Sequence, residues 1–127
     1  MYTMKICITS QGTTIDAAVD PRFGRAACFL IVDPSSREVT VVENDAINSS
    51  GGAGIAAARQ VIDFGVSAVL TGNCGPNAFR TLQAGGIQVF TGISGTVSDA
   101  VEAYCKGTLT ADEQASVDSH AGMGPQE

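Results

Sequence analysis

The sequence predicts an α/β domain with a mixed five-stranded sheet and three helices. Three observations predict it. Strand-like apolar patterns fill the first third of the chain, apolar residues recur at helical spacing from residue 51, and two short strand-helix units follow. The chain has 127 residues, 44% hydrophobic and 16% charged, which is enough to bury one core but too few for two. We therefore expect a single domain.

The first three predicted elements are strands. Residues 5–9 form the first, and 27–33 form a nearly continuous apolar run typical of a buried strand. Asp33-Pro34-Ser35-Ser36 has the composition of a turn, and residues 38–43 alternate apolar with polar side chains. The second and third strands should therefore pair as an antiparallel hairpin.

The remaining elements alternate between helix and strand. From Gly51 to Ile62 apolar residues recur at helical spacing, and Phe64-Gly65 supplies the stop. Two strand-helix units follow, with strands at 68–71 and 88–91 and helices at 76–84 and 97–106. Because such alternation implies parallel strands, the order β-β-β-α-β-α-β-α fits a five-stranded mixed sheet of ribonuclease H-like topology.

The amino-acid composition limits the classes of partner and the cellular location that we expect for this protein. The net charge is -6, and only seven Lys and Arg are present, which argues against nucleic acid and against an anionic membrane surface. No apolar stretch near the N-terminus is long enough for a signal peptide or a membrane helix, so we expect a cytoplasmic protein. Residues 4–109 should form the domain, and the polar residues 110–127 a flexible tail.

Three glycine-rich loops each end at a predicted helix start, where unpaired N–H groups and a partial positive charge favour anions. Turns and helix caps explain any one such loop, but three together favour an anion site. None matches a P-loop or G-x-G-x-x-G, which disfavours nucleotide phosphate. The candidate contacts are Gly51, Gly52, Ala53, Gly54, Asn73, Gly75, Pro76, Asn77, Gly95 and Thr96.

Charged and thiol side chains add three candidates. Arg22 and Arg25 flank Phe23 just before the second strand and could pair with an anionic ligand, although a salt bridge to a carboxylate explains an arginine equally well. Cys74 lies beside a helix start, which lowers a thiol pKa and favours metal ligation. We expect the other cysteines to pack in the interior and the tail histidine to be solvated; these are Cys7, Cys28, Cys105 and His120.

Four motifs carry a family resemblance: F-G-R-A at 23–26, G-A-G-I-A-A-A at 52–58, G-N-C-G-P-N-A-F at 72–79 and G-G-I-Q-V-F at 85–90. Together they resemble the dinitrogenase iron-molybdenum cofactor biosynthesis family, which includes NifX, the C-terminal part of NifB and orange-protein carriers of molybdenum-copper sulfide. The resemblance runs from about residue 4 to 109. It implies a ribonuclease H-like fold that holds metal-sulfur clusters non-catalytically and passes them from a donor protein to an acceptor protein.

The resemblance also implies a cargo. We expect a molybdenum-containing cluster, Mo-Cu-S or Fe-Mo-S, in a protein that is a monomer or weak dimer. The chain carries no NifB-type radical-enzyme domain, which favours a stand-alone carrier. Residues 4–109 contain no histidine, which leaves Cys74 or purely electrostatic binding.

Two other function classes remain open at the level of sequence. The fold also supports nucleases that hold two metal ions on clustered carboxylates, although the candidates here fall mostly in turns and strand ends. Those carboxylates are Asp16, Asp20, Asp33, Glu38, Glu43 and Asp45. The other class is an adaptor or sensor that binds a partner protein and no metal.

Overall fold

The computed structural model describes residues 5–46 and 52–112, and it has the element order that the sequence predicts. The elements are β1 (Ile6–Ser10), β2 (Cys28–Val32), β3 (Val39–Glu43), α1 (Ala53–Ile62), β4 (Ala68–Leu70), α2 (Pro76–Ala84), β5 (Gln88–Phe90) and α3 (Val97–Lys106). The α/β class, the five-stranded mixed sheet and the three helices are confirmed.

The strands form one sheet in the order β3-β2-β1-β4-β5. β2 pairs antiparallel with β1 and β3, whereas β1 pairs parallel with β4, and β4 with β5. The carboxyl ends of the three parallel strands therefore lie at one edge of the sheet. The loops that lead into α2 and α3 start at this edge, where open α/β sheets usually bind ligands.

The two faces of the sheet carry separate apolar layers, because alternate strand residues point to opposite sides. α1 and α2 pack on one face, in a cluster that includes Cys7, Val69 and Val89. α3 packs on the other face, against a cluster that includes Ile6 and Ile8. The starts of α1 and α2 are thus neighbours, and the start of α3 belongs to the opposite layer.

The chain continues along the sheet after α3. Leu109 and Ala111 pack against the α3 layer. The backbone N–H of Asp112 donates to the carbonyl of Val89 in β5 at 2.7 Å, and the Asp112 carboxylate accepts from the Thr91 hydroxyl. Residues 111 and 112 thus contact the fold, while the rest of the predicted tail lies outside the described residues and its boundary stays a prediction. Within 5–46 and 52–112, no helix is long and apolar enough to cross a membrane.

Candidate anion-binding pocket

A pocket of about 260 Å³ opens where the N-terminal ends of α1 and α2 meet the loop before β2. Nine residues line it: Gly24, Gly52, Ala53, Gly54, Ile55, Gly75, Pro76, Asn77 and Ala78. Six of these are sequence-predicted contacts, drawn from two of the three glycine-rich loops. One further predicted contact of these two loops, Gly51, lies outside the described residues. The pairing of the first two loops is therefore visible in the structure.

The loop before β2 is held in place by a buried carboxylate. Asp20, which is 2% exposed, accepts hydrogen bonds from the backbone N–H of Arg22 at 3.0 Å and of Ala27 at 3.2 Å. Phe23 is buried in the core and packs against Phe29, with ring centroids 5.6 Å apart. These contacts fix Gly24 at the wall of the pocket.

Close backbone approach brings the pocket walls together. A Cβ on Gly24 would lie 3.0 Å from both the Cα and the N of Gly54, and a Cβ on Gly54 would lie 3.2 Å from the Cβ of Ala78. Contacts under about 3.4 Å are too short for a side chain to enter without displacement. Glycine at these positions therefore lets the loop, α1 and α2 approach one another closely without displacing a neighbour.

The starts of α1 and α2 are electrostatically suited to an anion. Their N-caps, Gly52 and Gly75, provide no side-chain hydrogen bond, and neither first turn contains an acidic residue. Helix starts of this kind present backbone N–H donors and a partial positive charge. None of the nine lining residues is a carboxylate. An anion in the pocket can thus accept hydrogen bonds without a competing negative side chain.

The third predicted loop does not contribute to this pocket. At the start of α3, Thr96 Oγ1 accepts from the Asp99 N–H at 3.0 Å, and Asp99 Oδ2 accepts from the Thr96 N–H at 3.1 Å. The next two N–H groups, of Val97 and Ser98, donate to carbonyls of the loop at residues 11–18. Gly95 and Thr96 thus do not line this pocket, and the N–H donors at the start of α3 are already paired.

Three further predicted contacts, Arg22, Arg25 and Asn73, also lie outside the pocket lining. Arg22 Nε is 3.5 Å from Asp20 Oδ1, and its side chain is 65% exposed. Arg25 is half-buried and has contacts of its own. Asn73 is exposed and donates through Nδ2 to the Pro21 carbonyl at 3.2 Å. Arg22 therefore forms a salt bridge, which was one of the two roles that the sequence allowed. Asn73 links the loop after β4 to the loop before β2.

Cys74 differs most from its predicted environment. Its side chain is 1% exposed within the α1 and α2 layer. Burial raises the Cys74 pKa to about 12, and the Asp112 carboxylate adds to the increase, so the expected lowering of this pKa was wrong. Cys105, expected to be interior, is exposed, whereas Cys7 and Cys28 are buried as predicted. Among the described residues, no group of three or more His, Cys, Asp and Glu could hold a metal ion.

Sequence reasoning missed three lining residues, Gly24, Ile55 and Ala78. Gly24 lies inside the F-G-R-A motif between two residues that were chosen for their charge. Its signal was available, because a glycine between bulky residues often marks close backbone approach. Ile55 and Ala78 directly follow predicted contacts, and only the packing of α1 against α2 brings them to the pocket.

The fold and the pocket define the class of protein: an α/β domain in which two uncapped helix starts converge on a glycine-lined pocket. Comparison with known proteins supplies the family. The family model described as dinitrogenase iron-molybdenum cofactor matches residues 4–107, so the chain belongs to this family. The resemblance stated from the sequence motifs is confirmed.

Solved relatives share both fold and sequence. The apo orange protein from Desulfovibrio gigas is 38% identical, with a TM-score of 0.87 over 90% of this chain and 97% of that chain. A candidate NifB protein from Thermotoga is 36% identical, with a TM-score of 0.74 over 85% of this chain and 92% of that one. An uncharacterised protein of Methanocaldococcus jannaschii is 29% identical over 94 residues, which are 72% of this chain and 80% of that protein.

Proposed function

We propose that this protein binds an anionic metal-sulfur cluster, or its precursor, in the pocket between α1 and α2, and carries it from a donor protein to an acceptor protein. Family membership and the orange protein and NifB relatives support a role in iron-molybdenum cofactor biosynthesis or in orange-protein-like carriage. The expected cargo contains molybdenum, as Mo-Cu-S or Fe-Mo-S. The observation that carries the proposal is the convergence of two uncapped helix starts on one pocket.

The chemistry of the lining suits such a cargo. Thiometallate clusters are anionic and rich in sulfide, which accepts hydrogen bonds from backbone N–H groups. Ala53, Ile55 and Ala78 add apolar surface for polarisable sulfur. The lining contains no Cys, His or carboxylate, so hydrogen bonds and the helix field would hold the cargo. A carrier of this type can release its cargo without breaking a bond between protein and metal.

We also propose that the fold is ribonuclease H-like and that the protein is not an enzyme. The strand order and the antiparallel β2 support the first point. Metal-dependent nucleases on this fold need clustered carboxylates. Asp20, the buried carboxylate among the candidates, binds the N–H groups of its own loop and belongs to no such cluster within the described ranges.

The proposal predicts that Gly75→Asp strongly weakens cargo binding and preserves the fold. Gly75 has φ -74° and ψ 171°, which any residue adopts, and a Cβ there meets nothing within 4 Å. Aspartate is a favoured N-cap, so it should occupy the N–H donors of α2 and repel an anion. We expect retention to fall about tenfold or more, equivalent to losing one charge-assisted hydrogen bond of about 1.5 kcal/mol.

The measurement is cluster absorbance retained on desalting after anaerobic reconstitution with tetrathiomolybdate and copper. Thr96→Asp is the matched control, since it adds the same charge at the N-cap of α3, outside the pocket. Equal retention in the two variants would show that the pocket is not the site. Failure of the parent protein to retain any metal would favour the adaptor or sensor class.

A further inference from the structure

We propose that Arg80 is a specificity-determining residue of this pocket, where its guanidinium, positioned by Asn77, selects cargo of higher negative charge. The inference rests on the proposed function, because it concerns the same pocket. Arg80 lies in none of the sequence motifs by which the family was recognised, which end at residue 79 and resume at 85. Three observations carry the inference.

The first observation is the direction of the Arg80 side chain. Its Nη2 donates to Asn77 Oδ1 at 2.7 Å, and Asn77 lines the pocket. Side chains on a helix lean toward its N-terminus, and residues three apart lie on the same face. The guanidinium is therefore held beside the first turn of α2, next to the pocket mouth.

The second observation is that the charge of Arg80 has a neutral partner. Arg22 is paired with Asp20, and Arg37 and Lys106 lie 3.7 and 3.9 Å from Glu102. Across the described residues, the hydrogen-bond partner of Arg80 is the Asn77 amide. The sequence contains no Asp or Glu from residue 64 to 98. Among the residues that the structure describes, a positive charge bonded to an amide, with no carboxylate paired to it, thus lies beside a pocket-lining residue in a protein of net charge -6.

The third observation concerns the donors that remain. A guanidinium has five N–H donors in a rigid fork, and the bond to Asn77 uses one nitrogen. A guanidinium is also more weakly hydrated than an ammonium group, so its desolvation costs less free energy when it contacts a polarisable sulfide. The attraction from a helix start also grows with the charge of the cargo, but it comes from a partial charge of about half a unit, so the full charge of Arg80 adds to the preference for a more highly charged anion.

The test compares Arg80→Gln with Arg59→Gln in the full chain. Both variants remove one exposed positive charge from the α1 and α2 layer, but Arg59 lies in the last turn of α1, whereas Arg80 is bonded to the pocket-lining Asn77. The probes are two tetrahedral thiometallates, the dianion tetrathiomolybdate and the monoanion tetrathioperrhenate. Affinity is measured by absorbance titration at about 0.02 M and about 0.5 M salt, between which the screening length falls severalfold.

We expect Arg80→Gln to weaken tetrathiomolybdate binding about three- to tenfold at low salt, and much less at high salt or for the monoanion. Arg59→Gln should bind both probes as the parent does. Asn77→Ala, which frees the guanidinium from its anchor, should give a smaller loss with the same dependence on charge. Circular dichroism confirms that each variant is folded.

Several results would overturn the inference. Unchanged binding in Arg80→Gln would exclude it, and so would an equal loss for both probes at both salt concentrations, which is the signature of altered packing. If Gly75→Asp still loses binding in these cases, the proposed function stands and only the role of Arg80 falls. If the parent binds neither probe, both fall together.

Discussion

The starts of α2 and α3 follow the same loop motif but differ in what their backbone donors bind. Both helices leave neighbouring parallel strands through a T-G-x-x-G element, at residues 71–75 and 91–95. Proline and an uncapped turn follow the first element, and α2 opens on the pocket. A threonine and an aspartate in a capping box follow the second. The residues after the glycine, more than the glycine loop itself, decide whether a helix start is available to a ligand.

The start of α3 also forms hydrogen bonds with residues that are distant in the sequence. Val97 and Ser98 donate to the carbonyls of Ala17 and Ile15 at 2.9 and 2.8 Å. The loop at residues 11–18 therefore serves the start of α3 as a bound ligand would. In contrast, Gly24 approaches the start of α1 at van der Waals distance and leaves the space beside it open. At the same edge of the sheet, the N–H donors at the start of α3 are therefore occupied, whereas those at the start of α2 remain available to a ligand.

The largest expected effect tests whether a side chain of the protein itself binds the N–H donors at the start of α2. A Cys74 thiolate, one residue before the Gly75 N-cap, would use the N–H donors of α2 and remove the difference from α3. Burial instead raises the Cys74 pKa to about 12. An unfolded thiol titrates near pH 8.5, so the stability due to the neutral thiol is complete below that pH and declines as pH rises toward 12.

We therefore expect the free energy of unfolding to fall above about pH 9, by up to about 1.4 kcal/mol per pH unit for each buried thiol. Urea titrations across this range measure it. The pKa values of Cys7 and Cys28 are raised as well, so Cys74→Ala should flatten the decline in part. Cys105→Ala, at an exposed position, is the control for the loss of a thiol outside the core. Labelling of Cys74 as fast as Cys105 at neutral pH would contradict a buried, protonated thiol.

The next prediction distinguishes the start of α1 from the start of α2. Gly52 has φ +70°, so Gly52→Ala should destabilise the protein by about 1–2 kcal/mol. Gly75 has an ordinary φ and free space at its Cβ, so Gly75→Ala should change the stability by less than about 1 kcal/mol, because the lower entropy of the unfolded chain offsets the poor N-cap preference of alanine. Both glycines line the pocket, so an added methyl group at either position should weaken cargo retention. Urea midpoints together with retention after desalting check this, and full retention in Gly75→Ala would place the cargo elsewhere.

Local signals predicted most of the fold, and contacts between distant residues explain what they missed. The bounds of α2 and α3 follow from Pro76, Gly85 and Gly107, which start and stop helices through their own backbone chemistry. The burial of Cys74 could not be predicted in this way, because it depends on packing within a layer built from the whole chain.

The closed end of α3 was partly predictable. The spacing Thr96-x-x-Asp99 is a local pattern of the capping-box type, and the structure contains both of its reciprocal hydrogen bonds. The pairing of Val97 and Ser98 with residues 17 and 15 was not, since nothing near residue 97 in the sequence indicates those partners. A prediction that weighed the capping residues would have separated this loop from the other two.

The smallest expected effect concerns this capped end. Thr96→Ala removes the hydroxyl that accepts from the Asp99 N–H at 3.0 Å, which should cost about 1 kcal/mol of stability in urea denaturation. Cargo retention should not change, because Asp99 Oδ2 still accepts from the backbone of residue 96, and Val97 and Ser98 keep their carbonyl partners. Ser94→Ala, at an exposed position in the same loop, is the control and should alter neither property. A gain of thiometallate binding in Thr96→Ala would mean that one hydroxyl alone keeps this end closed. A loss of binding with the fold intact would mean that α3 belongs to the site after all, and the contrast between the two helix starts would no longer hold.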